Sequence, residues 1–147
     1  GSHAISYGLN LEAKDSRGRT PLHICAARAD MTATRLLLDY GASLASKDKN
    51  GNIPLHLAVR ANPSAAYMSI LRPRIDAKNR DGETPLHLAA AAGANSAVAE
   101  LIVRGADAHA VDKSYWTPMC KAAAGNHAST VGLLLDRGTP WRGAGPQ

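Results

Sequence analysis

The sequence predicts an all-α solenoid of stacked helix-turn-helix repeats, with short β-hairpin-like fingers between them. A four-residue pattern recurs along the chain, as Thr-Pro-Leu-His at 20–23 and 84–87, Ile-Pro-Leu-His at 53–56 and Thr-Pro-Met-Cys at 117–120. Its starts are 33, 31 and 33 residues apart, a period typical of solenoids rather than of a single packed globule. One short unit is therefore written four times.

Each unit is predicted to open with a short inner helix. Thr before Pro before an apolar run is a helix start, because the hydroxyl accepts a backbone N–H and Pro at the first helical position gives up a donor that had no partner. We expect inner helices to begin at Pro21, Pro54, Pro85 and Pro118. The chain then breaks, and Asn62-Pro63 indicates by the same logic that a second, outer helix follows.

Short polar turns separate the units and predict the projecting fingers. Three of them end in a glycine, which takes positive φ without strain: 15–18, 48–51 and 79–82. The fourth turn, 112–115, ends in Tyr115, a bulky residue that takes positive φ only with strain. We therefore expect the fourth finger to differ from the others.

Further spaced positions identify the family that the chain resembles. Each start is followed by a small residue (Cys25, Ala58, Ala89, Ala122) and then by paired aliphatic residues (37–38, 70–71, 101–102, 134–135). Period and motif together resemble the ankyrin repeat, over roughly residues 7 to 139. The resemblance implies an ankyrin-type α-solenoid.

The resemblance divides the chain as follows: 1–3, which looks like a scar of tag removal; 4–16, the remnant of a preceding repeat; 17–49, 50–80, 81–113 and 114–138, repeats one to four; and 139–147, a tail. Residues 7–15 align with 40–48, which suggests that the sequence is a piece of a longer protein. Repeat two is shortened, because 72–75 replaces the Gly-containing turn, and we expect a local kink there. Repeat four is a candidate C-terminal cap, since Lys121 takes an apolar position.

Composition and length limit the class of protein. The chain has 147 residues and a net charge of +5, enough for one domain with a basic surface that favours acidic partners. Cys25 and Cys120 fall on repeats one and four, too far apart for a disulfide, which fits a reducing compartment. No apolar run approaches the roughly 18 residues of a membrane span, and no secretory pattern opens the chain. We expect a monomeric protein inside the cell, cytoplasmic or nuclear.

The sequence contains no pattern that predicts catalysis or a cofactor. A Gly-rich phosphate loop, paired catalytic carboxylates and a Ser/His/Asp arrangement are all absent, so we expect no enzyme. His23, His56 and His87 recur at repeat spacing, but stacked repeats about 10 Å apart would hold them too far from each other to share a zinc ion. The resemblance instead implies that each His hydrogen-bonds the backbone and the motif Thr, tying finger to helix and neighbour to neighbour.

The resemblance also implies that partners bind the concave face, formed by the fingers and the exposed side of the inner helices. The residues predicted to contact a partner are Arg17, Arg19, Arg28, Lys49, Asn52, Arg60, Arg80, Glu83, Lys113, Tyr115 and Trp116. With Ser16, Asn50, Asp81 and Ser114, this face holds seven cations and two anions, and 7 − 2 = +5 equals the charge of the whole chain. The excess charge is therefore predicted on one face.

A non-catalytic interaction module that binds an acidic or phosphorylated protein segment is the first hypothesis. Alternatives are that the basic residues only keep the array soluble, that the same groove binds nucleic acid or another anionic surface, and that the chain is a regulatory segment of a larger enzyme or channel. For Tyr115 and Trp116, an anchor for a partner and packing within the hairpin or against a missing neighbour remain equally open.

Overall fold

The computed structural model describes residues 8–71 and 74–137, which form four antiparallel helix pairs. The helices are α1 (Pro21–Ala27), α2 (Met31–Asp39), α3 (Pro54–Ala58, extended by a 3₁₀ turn at Val59–Ala61), α4 (Ala65–Ile70), α5 (Pro85–Ala92), α6 (Asn95–Val103), α7 (Pro118–Ala124) and α8 (Ala128–Arg137). Inner helices α1, α3, α5 and α7 pack on one another in order, outer helices α4, α6 and α8 do the same, and α2 packs on α1. The fold is the predicted α-solenoid.

The inner helices begin where the sequence predicts. Thr20, Thr84 and Thr117 each accept a hydrogen bond from the backbone N–H three residues later, and Pro follows each of them. Ile53 has no hydroxyl, so the start of α3 lacks this side-chain cap. The His56 N–H bonds the Ile53 carbonyl instead, at 3.0 Å, while Nδ1 of the His56 ring accepts the Ile53 N–H as the rings of His23 and His87 do in their repeats.

A continuous apolar core runs through the stack. Leu22, Leu86 and Leu101 are fully buried, and Tyr67 and Met68 nearly so. The motif alanines Ala58, Ala89 and Ala122 are completely covered, because neighbouring inner helices approach closely at these small residues. Each repeat thus buries its apolar side only against its neighbours.

The three motif histidines join consecutive repeats, which confirms the structural role expected of them. Nδ1 of His23 accepts the Thr20 N–H, so Nε2 carries the proton and donates to the Asn52 carbonyl in the next finger at 2.7 Å. His56 donates in the same way to Glu83 at 2.9 Å, and His87 to Trp116 at 2.8 Å. Burial lowers the pKa of His56, and hydrogen bonds to backbone groups offset this only in part.

All four fingers share one hydrogen-bonded turn, so the expectation that the fourth would differ is wrong. In each, the N–H of the fourth residue bonds the carbonyl of the first at 2.9–3.0 Å, and the N–H of the first bonds the carbonyl of the fifth. Tyr115 adopts φ 64°, close to the 77–78° of Gly18, Gly51 and Gly82, and so accepts the left-handed conformation. No strand forms within 8–71 and 74–137, so the structure does not confirm hairpin strands in the fingers.

The chain returns from each outer helix to the next finger through a loop that opens at positive φ. Gly41 after α2 and Gly105 after α6 have φ of 101° and 95°, and Arg74, further along the loop of repeat two, has φ 63°. The kink expected at 72–75 falls largely on residues 72 and 73, which lie outside the described residues, as do 1–7 and 138–147. The preceding loop is joined to repeat one by Glu12, which accepts hydrogen bonds from Ser43 N and from the Ser46 hydroxyl.

Candidate partner-binding surface

The second residues of successive fingers form a column of cations, which we call the finger row: Lys49, Arg80 and Lys113. Each donates its N–H to the third residue of the preceding finger, at 3.0 Å from Lys49 to Arg17, 2.9 Å from Arg80 to Asn50 and 2.9 Å from Lys113 to Asp81. Because the same bond recurs at each step, the three side chains leave equivalent backbone positions. All three residues are exposed.

Close contact between fingers fixes the base of this row. A Cβ added to Gly18 would lie 2.8 Å from Lys49 N and 3.0 Å from Lys49 Cγ. One added to Gly51 would lie 2.8 Å from Arg80 N and 2.9 Å from Arg80 Cγ. The stems of these two cations therefore pass over the preceding turn glycine, and the restraint reduces the ordering entropy that binding would cost.

Arg80 is held further by its neighbour in the row. One of its five N–H donors, on Nη1, bonds the Lys49 carbonyl at 2.8 Å. The guanidinium is thereby held beside the Lys49 backbone, with its other donors available to an anion. A planar guanidinium suits carboxylate and phosphate groups, which it can bind through two parallel hydrogen bonds.

The fifth residues of the fingers contact other residues of the fold. Arg19 pairs with Asp15 at 3.1 Å, and hydrogen bonds from the Arg19 and Arg17 backbone hold the pKa of Asp15 below its ordinary value although desolvation opposes them. Asn52 is 5% exposed and its amide oxygen accepts a bond from Asn79. Arg19 and Asn52, predicted to contact a partner, are thus engaged within the array.

Glu83, also a predicted contact residue, belongs to an ionic cluster around Lys121. Lys121 Nζ lies 2.7 Å from Glu83 Oε2, 3.3 Å from Asp112 Oδ2 and 5.4 Å from the centroid of the Trp116 ring. Burial tends to raise the pKa of Glu83 and of Asp112, but for both carboxyls hydrogen bonds outweigh it and the pKa is lowered. For Lys121 burial acts to lower the pKa, whereas the two carboxylates raise it and prevail.

Lys121 is the site residue that sequence reasoning missed as a contact. In the sequence, Lys121 indicated only that repeat four is a closing unit, because the equivalent positions of the other repeats hold the apolar residues Ile24, Leu57 and Leu88. The sequence did contain a signal for this contact, because the new cation at 121 is accompanied by acidic residues at finger positions. Lys121 places a cation beside the Trp116 ring, an arrangement that orders the indole.

Two aromatic side chains stand at the C-terminal end of the finger row. Tyr115 is 82% exposed and Trp116 is 41% exposed. The Trp116 backbone is fixed by His87 and by Asp112, whose Oδ1 accepts the Trp116 N–H at 2.9 Å. Trp116 therefore fits in part the alternative that the pair packs within the array. Most of the Tyr115 ring, in contrast, contacts no other part of the described chain.

Arg28 and Arg60 form a separate pair of exposed cations. Arg28 caps the C-terminal end of α1, and Arg60 lies in the 3₁₀ turn that follows α3. With a rise of 1.5 Å per residue, the inner helices place them about 10 Å from the fingers. The predicted contact set therefore divides into the finger row with its aromatic end, and this helix-end pair.

Within the described residues, no three His, Cys, Asp or Glu side chains could together hold a metal ion. Cys25 and Cys120 are free, and a hydrogen bond from Thr117 lowers the pKa of the exposed Cys120. None of the helices in 8–71 and 74–137 is both long and apolar enough to cross a membrane.

Comparison with known proteins agrees with this architecture. A family model described as ankyrin repeats (3 copies) matches residues 3–76 and 62–142. No curated protein matches the chain.

Proposed function

Because the chain belongs to the ankyrin repeat family, whose members are generally non-catalytic protein-interaction modules, we propose that its finger row binds an acidic or phosphorylated segment of another protein. The protein acts in this proposal as a monomeric binding module without catalysis of its own. Lys49, Arg80 and Lys113 supply charge, and Tyr115 with Trp116 supplies a contact surface at one end.

The observation that carries this proposal is the alignment of three exposed cations on one hydrogen-bonded column. Cations on equivalent, closely stacked turns act together on an approaching anion and raise its rate of encounter. The restrained stems of Lys49 and Arg80 favour recognition over mere solubility, since a cation kept only for solubility needs no fixed position.

Some of the acids near the row are engaged by cations outside it. Asp15 is paired with Arg19, and Glu83 and Asp112 are paired with Lys121. Among the second and third residues of the four fingers, Asp81 is the single acid. These eight positions hold four cations and one acid, so cations predominate there.

Nucleic acid is the alternative ligand of the same surface. Single-strand binders place aromatic residues between their cations, so that successive bases stack along the groove. Here Tyr115 and Trp116 stand together at one end, and no aromatic residue lies among the second and third finger positions. This arrangement favours a protein segment over a nucleic acid strand. A regulatory role within a larger enzyme or channel is compatible with either ligand.

A pair of charge-matched variants tests the proposal. The row variant carries Lys49→Gln, Arg80→Gln and Lys113→Gln, and the control variant carries Arg35→Gln, Lys47→Gln and Arg137→Gln, all exposed cations outside the row. Both lose three charges. We expect an acidic glutamate-rich peptide to bind the wild type and the control variant in fluorescence anisotropy, with salt-sensitive affinity, and the row variant at least about tenfold more weakly.

Two results would contradict the proposal. If the two variants lose the same affinity for the peptide, only net charge matters and the finger row is not the site. If a single-stranded oligonucleotide of equal charge binds more tightly than the peptide and depends on the row, the nucleic-acid alternative is correct.

A further inference from the structure

We infer that the segment bound by the finger row lies along it as a polyproline II helix with an anionic group at every third residue. This inference rests on the proposed function and adds the conformation and the sequence spacing of the ligand.

The spacing of the row follows from the stacking of the repeats. Consecutive fingers are joined by the same backbone hydrogen bond of 2.9–3.0 Å, and the inner helices behind them pack in the same order. Packed helices lie about 8–10 Å apart. Lys49, Arg80 and Lys113 occupy equivalent positions on these fingers, so adjacent cations start from backbone positions about one such step apart.

A polyproline II helix matches this step and presents its groups in the required direction. It has three residues per turn and rises about 3.1 Å per residue, so residues i, i+3 and i+6 lie on one face about 9 Å apart. In a β-strand, residues three apart point to opposite faces. The regular extended conformation that can aim three equally spaced acids at the row is therefore polyproline II.

An α-helical ligand would need acids seven residues apart, since seven residues rise about 10.5 Å. Helices that dock on proteins bury an apolar face in an apolar groove. The second and third residues of the fingers are Ser16, Arg17, Lys49, Asn50, Arg80, Asp81, Lys113 and Ser114. This surface offers no apolar groove, which argues against a helical ligand.

Two further features agree with a proline-rich acidic segment. Tyr115 and Trp116 stand beside Lys113 at the end of the row, and exposed aromatic side chains are the surfaces on which polyproline II segments pack. Asp81 follows Arg80 in the same finger and repels acids, which disfavours a contiguous run of acids along the row.

Three synthetic peptides of identical composition and charge test the inference. The first is Glu-Pro-Pro repeated three times, the second is Glu-Glu-Glu followed by six prolines, and the third is Glu-Pro-Glu-Pro-Glu followed by four prolines. All three favour the polyproline II conformation, so that they differ in acid spacing alone. Binding is followed by NMR titration at low salt, which detects weak affinities.

We expect the evenly spaced peptide to bind the wild type at least about tenfold more tightly than either rearranged peptide. The preference should persist in the Arg35/Lys47/Arg137 control variant and vanish in the Lys49/Arg80/Lys113 row variant. A helical peptide with Glu at every seventh residue should bind more weakly than the evenly spaced one.

The outcomes separate the inference from the proposed function. Equal affinity of the three proline peptides, lost in the row variant, overturns the spacing inference but leaves the proposed function intact. Tighter binding of the helical peptide overturns the polyproline II conformation. Binding that does not depend on the row, or no binding of any acidic peptide, contradicts both the inference and the proposed function.

Discussion

Lys121 Nζ lies 2.7 Å from Glu83 Oε2 and thereby joins the last inner helix to the finger of the preceding repeat. Leu57 and Leu88, at the equivalent positions, are buried by packing against their neighbours, whereas Ile24 of repeat one is 38% exposed. In repeat four a charge pair occupies the position of an apolar contact. This charge pair also holds the Lys121 ammonium beside the Trp116 ring, so the surroundings of the ring depend on the pair.

We predict that Lys121→Met lowers the free energy of unfolding by about 1–2 kcal/mol at pH 7, because Glu83 and Asp112 lose their cation while partly buried. Both carboxyls have a lowered pKa in the folded state, so their stabilising contribution exists above their unfolded pKa and disappears as the pH falls through the folded value. Urea denaturation should therefore show a smaller difference between variant and wild type at acidic pH. A difference that is unchanged on acidification would argue for a packing effect.

The protein should lose stability as the pH falls below about 6.5, the unfolded pKa of histidine. The pKa of His56 is lowered by burial, so the unfolded state takes up a proton that the folded state resists, and stability rises with pH in this range. His56→Asn should flatten the dependence measured by urea denaturation between pH 5 and 7.5. His109→Asn, at an exposed position, is the control for the loss of one histidine.

Gly51→Ala should destabilise the protein by more than Gly105→Ala. Both glycines have positive φ, which costs an alanine about 1–2 kcal/mol. The new Cβ at 51 would also lie 2.8 Å from Arg80 N, whereas nothing stands within 4 Å at 105. Chemical denaturation should give about 1 kcal/mol of additional loss for Gly51→Ala, and hydrogen exchange of the Arg80 amide should speed up. Equal losses for the two variants would show that fingers do not stack this closely.

Tyr115→Gly should weaken partner binding without lowering stability. Tyr115 has φ 64°, a conformation that glycine adopts without strain, and its side chain is largely exposed. We expect the free energy of unfolding to stay equal or to rise by about 0.5 kcal/mol, since relief of strain slightly exceeds the entropy that glycine adds to the unfolded chain. Thermal denaturation and peptide titration check the two effects separately. A clear loss of stability would mean that the ring packs within the array.

The sequence predicted the fold to the level of each inner helix, because the cap, the proline and the apolar run are local signals. It also predicted the role of His23, His56 and His87. It failed at Tyr115, since the glycines of the first three fingers serve two purposes. They take positive φ, and they leave room for the backbone of the next finger at 2.8–3.0 Å. No following finger covers Tyr115 within the described residues, so only the first requirement applies there.

The sequence predicted which polar residues lie at the fingers, but not which of them are engaged within the array and which are left to contact a partner. Arg19, Asn52 and Glu83 satisfy the same pattern as Lys49 and Arg80, yet they bond to other residues of the array. Whether a polar side chain at a finger faces a partner or a neighbouring finger depends on contacts between repeats. For Asn52 and Glu83 those contacts join residues 27 and 38 positions apart, and a single sequence does not encode them as a local pattern, whereas Arg19 pairs with Asp15 in its own finger.

Chemical-shift mapping of the evenly spaced Glu-Pro-Pro peptide on the ¹⁵N-labelled protein tests the central claim most directly. The finger row predicts that the largest perturbations occur at the amides of Lys49, Arg80 and Lys113 and at the Trp116 indole N–H, and that they decrease as salt is added. Perturbations concentrated on the outer helices α2, α4, α6 and α8, with the row amides unchanged, would contradict the claim that the finger row is the binding surface.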